Sequence, residues 1–200
     1  MPSQSYHHGD LKAALIRTGL QLLDQEGYEG FSLRKVAKAC NVSQTAPYRH
    51  FKNKEELIVA ITMEGMRSFN DALEQAIQLY PDQPDKQLTE MGVAYIKFFV
   101  ENPEYLRLLF LSKLKDKMQL FYQYKPNFSD AKDPFQTFYD TLVRYSESYP
   151  DLHIKRSELL LYSWGLAHGI AILIANKDVP LEEDYLTLTR RIMEHSILNL

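Results

Sequence analysis

A chain of 200 residues with 45% apolar and 12% aromatic residues can bury the core of one large domain or two small ones. The net charge of −3 hides an uneven distribution: residues 1–54 carry eight Lys and Arg against four Asp and Glu, and residues 55–200 carry 15 against 22. A basic head on an acidic body points to one polyanion-binding end, and the single cysteine, Cys40, excludes an intramolecular disulfide.

The opening MPSQSYHHGDLK has no apolar run of signal-peptide type. The longest apolar stretch, around 165–175, is interrupted by His168, so no membrane span is expected and the protein is expected in the cytoplasm. The adjacent His7 and His8 lack the spaced partners of a metal site and read as a polar arm before the first helix.

Leu11, Leu15, Thr18 and Leu22 recur on one face of a first helix, with Ala14 and Leu23 beside them. Asp10 is placed to cap it and Gly27 to end it. Ser32 caps a second helix whose apolar positions are Leu33, Val36, Ala37 and Cys40. Asn41 follows, a residue that tolerates the left-handed conformation of a tight helix–helix turn. Ser43 then reads as the cap of a short third helix from Gln44 to about Phe51. Asn53 with Glu56 resembles a capping box and opens a fourth helix, running to about Leu79 before Pro81 and Pro84.

A further helix precedes Asn102-Pro103 and another starts at Pro103, a favoured first-turn residue. Residues 115–133 are less regular, a helix spans about 134–148, and two last helices flank the break at 176–180. The fold class is therefore all-α with about nine helices. Its expected division is a three-helix head at 1–53 and a helical body at 54–200.

The segment 31–54, FSLRKVAKACNVSQTAPYRHFKNK, carries the chemistry. Pro47 and Phe51, with Val42, can pack inward, which leaves Gln44, Thr45, Tyr48 and Arg49 facing out. Gln pairs with adenine and Arg with guanine through two hydrogen bonds each, at about 1–3 kcal/mol per good pair. Tyr48, Lys52 and Lys54 suit phosphates, and Lys54 lies at the free amides that open the fourth helix. Pro47 removes a helical N–H, which favours a short helix used at its first turns. Cys40, on an apolar stripe with no second Cys to resolve a sulfenic acid, reads as a core thiol.

The motifs GYEGFSLRKVA and NVSQTAPYRHFKNKEEL, behind an amphipathic first helix, resemble the DNA-binding domain of the TetR family of transcriptional regulators. Asn41 stands where that family often has Gly, and Pro47 where it often has Leu. The resemblance implies that Ser32, Arg34, Ser43, Gln44, Thr45, Ala46, Tyr48, Arg49, His50 and Lys54 form the DNA-binding surface. It places Gln44 to His50 on or near the reading face, with Ser32, Tyr48 and Lys54 on phosphates. Downstream, NPEYLRLLF and SWGLAHGIAILI resemble the TetR subgroup named for its Trp-His-Gly motif.

Trp164 and His168, at i and i+4, share a helix face. They either line a ligand pocket or sit in a packed core with the imidazole bonded internally. Tyr95, Phe99, Phe110, Phe121 and Phe138 belong to an aromatic-rich middle that is core in an unknown helical domain and pocket-lining in this family. The last two helices carry apolar stripes (Leu159, Leu166, Ile170, Leu173; Leu181, Tyr185, Leu188, Ile192) that either complete the monomer core or pair with a second copy. The resemblance implies a homodimer.

The expected partners are thus a double-stranded DNA operator, a second copy and a small apolar or aromatic molecule, with no cofactor and no metal. The implied activity is a repressor released when a ligand favours a conformation whose two heads are mis-spaced for adjacent major grooves. The alternative is an α-helical small-molecule-binding protein or enzyme without a DNA-binding role. No Cys–His or Ser–His–Asp arrangement supports an enzyme, since His153, His168 and His195 are scattered. A steep loss of duplex affinity with rising salt separates the two readings.

Overall fold

The computed structural model describes residues 8–111, 133–151 and 153–198. Among them the elements are α1 (His8–Gly30), α2 (Leu33–Ala39), a 3-10 helix (Ala46–Arg49), α3 (Lys54–Gln78), α4 (Pro84–Glu101) and α5 (Pro103–Leu106). After α5, the chain runs into a π-turn (Arg107–Leu111), and α6 (Pro134–Ser148), α7 (Arg156–Ala175) and α8 (Tyr185–Leu198) complete it. No strand occurs among the described residues.

The helix ends follow their local chemistry. Gly27 breaks α1 with φ 67°, a backbone that costs a side chain strain and glycine nothing. Ser32 Oγ accepts the Lys35 N–H at 3.3 Å and so caps α2. At the far end Asn41 takes φ 54°, the Val42 N–H reaches the Ala37 carbonyl at 3.0 Å, and the Asn41 N–H reaches Lys38 at 3.1 Å. Those two bonds are a Schellman motif, with Asn where glycine is commonest. Asn53 Oδ1 accepts the Glu56 N–H at 2.8 Å, and Glu56 reaches back to the Lys52 N–H at 2.5 Å.

The chain divides into two compact units. The first comprises, among the described residues, 8–65 and 104–111. Leu15, Leu23, Phe31, Val36, Phe51, Leu57 and Ile61 are its buried centre. Each such side chain contributes about 1.5–3 kcal/mol on burial. The later segment completes this core: Leu106 is 1% exposed, and Tyr105 and Leu108 pack against the cluster. The Tyr105 ring lies over Gly65, where an added Cβ would come within 2.5 Å of it. Burial, then Glu64 and Glu104, push the Tyr105 phenol up to about 12. Cys40 is half-buried with its Sγ 3.7 Å from the Ala14 carbonyl, as a core thiol would be.

The second unit comprises 66–103 with the described residues 133–151 and 153–198. The C-terminal half of α3 supplies Phe69, Leu73 and Ala76 to it. Its central helix is α4, packed by α6, α7 and α8, which is why Leu88, Met91, Val93, Ile96 and Phe99 are all buried along it. Gly92 lets α8 approach, since a Cβ there would stand 2.6 Å from Met193 Sδ. Two of the polar groups inside are paired: Thr137 Oγ1 donates to Asn70 Oδ1 at 2.6 Å, and Glu90 accepts from Arg190.

Helix α7 is apolar on every side. Leu159, Ala167 and Ala171 are buried, but Leu161 is 71% exposed, and Tyr162 and Leu173 are exposed too. A Cβ at Gly165 or Gly169 would meet nothing within 4 Å. By length and composition alone the helix is long and apolar enough to cross a membrane, the interruption at His168 notwithstanding. The leucines and isoleucines on either side of that histidine keep the helix apolar.

Candidate nucleic-acid interface

The expected third helix is shorter than its sequence suggests. Only Ala46–Arg49 is helical, and in 3-10 form, with the Tyr48 N–H on the Thr45 carbonyl at 3.2 Å and the His50 N–H on Pro47 at 2.9 Å. The physical cause is Pro47, which offers no N–H to a carbonyl four residues back and disfavours αR geometry in the residue before it. Ser43 accordingly does not cap: its carbonyl accepts the Ala46 N–H at 3.0 Å, and its hydroxyl shares a 3.2 Å bond with that of Thr45.

The division of faces holds despite the altered helix. Pro47 and Phe51 are buried and Val42 is half-buried, so the turn is nailed to the core of the first unit. Gln44, Thr45 and Arg49 are exposed, and Tyr48 is 52% exposed although large and aromatic. Ser43 and Arg34 are exposed as well. Ala46 and His50 are half-buried, the imidazole tilted against Phe51 with ring centroids 6.3 Å apart. Ser32 is half-buried, with its hydroxyl on the α2 cap.

Lys54 is more constrained than its sequence position suggests. Its Nζ donates to the Tyr28 carbonyl at 3.0 Å and lies 3.9 Å from the centre of the Tyr28 ring. The Tyr28 hydroxyl donates to Glu55 Oε1 at 2.7 Å. Sequence reasoning passed over Tyr28, Glu55 and Lys35. Lys35 binds the Glu26 carboxylate at 2.5 Å and the Gly30 carbonyl at 2.8 Å, pinning the α1–α2 connection. The only sequence signal for Tyr28 was an aromatic residue between two glycines, and its partner lies 26 residues on.

The residues suggested for a ligand pocket separate into groups. Tyr95, Phe99, Trp164 and His168 share one aromatic cluster of the second unit with Phe69 and Phe98. Trp164 Nε1 donates to the Tyr95 oxygen at 3.4 Å, and that oxygen lies 2.8 Å from His168 Nδ1. Burial lowers the His168 pKa and, as the largest cause, raises that of Tyr95. A neutral imidazole accepting the phenol proton at Nδ1 satisfies both shifts. Phe138 packs instead with Leu88, Leu142, Tyr145 and Leu159, and Phe110 belongs to the first unit. Phe121 and His7 lie outside the described residues. No group of three or more metal-ligating side chains occurs among the described residues.

A capped helix, a tight turn through a positive-φ asparagine and a short second helix bearing exposed amide, phenol and guanidinium groups define a helix-turn-helix DNA-binding protein. Residues 15–61 match the model of the bacterial regulatory proteins of the tetR family. The HTH-type transcriptional regulator YobS of Bacillus subtilis, itself uncharacterised, is 25% identical over 175 residues, 86% of this chain and 83% of its own length. Tetracycline repressor protein class C of Escherichia coli is 44% identical over 59 residues, 30% of this chain and 26% of the repressor. The transcriptional regulator FadR of Bacillus subtilis, solved in complex with stearoyl-CoA, shares the fold with a TM-score of 0.67 at 16% identity, covering 94% of this chain and 98% of FadR. The chain thus carries, over residues 15–61, the helix-turn-helix DNA-binding domain of the tetR-family regulatory proteins, followed by a C-terminal helical region.

Proposed function

We propose that this regulator is a repressor that grips a two-fold symmetric operator as a homodimer and releases it when a small apolar or aromatic molecule binds the C-terminal region. The observation that carries this reading is the exposed face of Gln44, Thr45, Tyr48 and Arg49 on a turn fixed by buried Pro47 and Phe51. In it, Gln44 and Arg49 read base edges while Ser32, Arg34, Ser43, Tyr48 and Lys54 address the backbone. Ala46 and His50 flank that face. The head is residues 1–53, and 54–200 regulate it.

Pairing is supported by α7. A helix with Leu161 71% exposed, and open space beside Gly165 and Gly169, offers apolar surface of the kind that marks interaction sites. A single short recognition element also binds too little DNA alone, whereas a two-fold pair spans two half-sites. Trp164 with His168 and Gly169 supports membership of the Trp-His-Gly subgroup. The Tyr95–Trp164–His168 chain supplies the polar anchor of the ligand site, with Phe99 in its aromatic wall. A TetR-like repressor and an acyl-CoA-binding regulator among the relatives support repression and ligand response.

In vitro selection of bound duplexes tests the reading. The expected product is an inverted repeat with half-sites about one helical turn, roughly 34–36 Å, apart. Selection of single, unrepeated sites would refute the paired mode. Adding long-chain acyl-CoA or aromatic compounds to the complex should weaken binding, and indifference to all of them would remove the ligand from the mechanism.

A further inference from the structure

We propose that Tyr28 is a positioning residue of the DNA interface, which holds the Lys54 ammonium at the start of α3 ready for a backbone phosphate. The proposal rests on the reading of Lys54 as a phosphate contact and adds how that contact is prepared.

Lysine is a poor fixed ligand when unsupported. Its four-carbon stem carries about 2 kcal/mol of rotamer entropy, part of which is lost when a phosphate immobilises it. Here that freedom is already restricted before DNA arrives. One Nζ hydrogen is committed to the Tyr28 carbonyl at 3.0 Å, and the ring of the same residue sits 3.9 Å from the charge. An ammonium has three donors and no acceptor, so the bracket leaves donors for an anion. The bracket stands at the first residue of a 25-residue helix, whose opening amides themselves favour negative charge.

The same tyrosine deals with the neighbouring acid. Glu55 is the second residue of α3, next to the expected phosphate, where a loose carboxylate would repel the backbone. Its Oε1 is bound by the Tyr28 hydroxyl at 2.7 Å, which fixes that carboxylate against α1. Glu56 is occupied at the Lys52 N–H. Backbone, ring and hydroxyl of one residue thus order the charges of this turn.

The test is a double-mutant cycle on the full chain, with Tyr28→Leu, Lys54→Gln and the pair, read as duplex affinity across a salt series on mixed-sequence DNA. Lys54→Gln should make the slope of log affinity against log salt shallower by about 0.9, one phosphate's worth. Tyr28→Leu should shift the slope in the same direction, and the double variant should have the slope of Lys54→Gln alone. Tyr28→Phe, which keeps the ring and loses only the hydroxyl, should retain the slope and lose about two- to fivefold in affinity on every sequence, the size of one exposed charge interaction. An unchanged slope in Tyr28→Leu beside a changed one in Lys54→Gln would reduce Tyr28 to a packing residue. Additive losses would show that it acts independently of Lys54. An unchanged slope in Lys54→Gln would overturn the phosphate assignment itself. Thermal melts identify any variant that fails to fold, in which case Tyr28→Met, which also removes the ring and hydroxyl, replaces Tyr28→Leu in the cycle, and strictly additive changes of slope there overturn the proposal.

Discussion

Asp24 and Arg107 stand 83 residues apart and meet as a forked pair, Nε on one carboxylate oxygen at 2.6 Å and Nη2 on the other at 2.7 Å. The bond to Asp24 raises the guanidinium pKa further. This pair clasps the π-turn after α5 to the first helix. Asp24→Asn should cost about 0.5–1 kcal/mol, a figure held low because the two side chains are 43% and 23% exposed. Urea unfolding at low and at molar salt checks it, since screening should shrink the difference.

Gly65 and Tyr105 make the tightest contact nearby. Gly65→Ala pushes a methyl to 2.5 Å from the ring, so either the ring or α3 must move. The expected loss is about 1–3 kcal/mol of stability. Combined with Tyr105→Ala, the damage should be less than the sum of the two single changes, because the clash is gone.

Gln44→Ala and Tyr48→Ala should differ in kind. Loss of the amide relaxes preference at one base pair by about 1–3 kcal/mol and leaves non-specific affinity alone. Loss of the phenol weakens all duplexes alike. Competition between selected and scrambled DNA separates them, and a uniform loss for Gln44→Ala would remove it from base reading.

Leu161→Glu should leave the melting temperature of the monomer nearly unchanged, since that side chain is 71% exposed. It should convert a dimer to a monomer in sedimentation and abolish tight binding to the full inverted repeat. A variant that stays dimeric would place the interface elsewhere.

His168 sets a pH signature. Burial lowers its pKa below the usual 6.5, so the folded chain refuses a proton that the unfolded chain accepts. Its contribution to stability is complete above about 6.5 and is lost as pH falls through that value toward the lower folded one. His168→Gln should flatten that part of the profile, measured as the difference in melting temperature between the two proteins from neutral pH to about pH 5.

What was legible in the sequence was what acts locally. Ser32, Asn41 and the Asn53–Glu56 pair each work within three or four residues of themselves, and each is found at its expected end of a helix. Ser43 misled because a serine before a polar run looks like a cap whether or not the proline four residues on allows a regular helix. The contacts that shape the candidate interface and the aromatic cluster join residues far apart: Tyr28 with Lys54, Tyr95 with His168. Periodicity says which face of a helix is buried but not what it is buried against. Phe99, Phe110 and Phe138 therefore looked alike in sequence and lie in three different surroundings.

The first unit is assembled from two stretches, 8–65 and 104–111, with the chain between them belonging to the other unit. A ribosome delivers these stretches in order. When Gly65 emerges, the DNA-binding turn exists, but Tyr105, Leu106 and Leu108 have not yet covered their share of its core. Among the described residues, the first unit is complete only after residue 111 has left the tunnel. A fragment cut at Gly65 should expose that apolar ground and be marginally stable, so competence to bind DNA comes late in synthesis, after most of α4 is already in place.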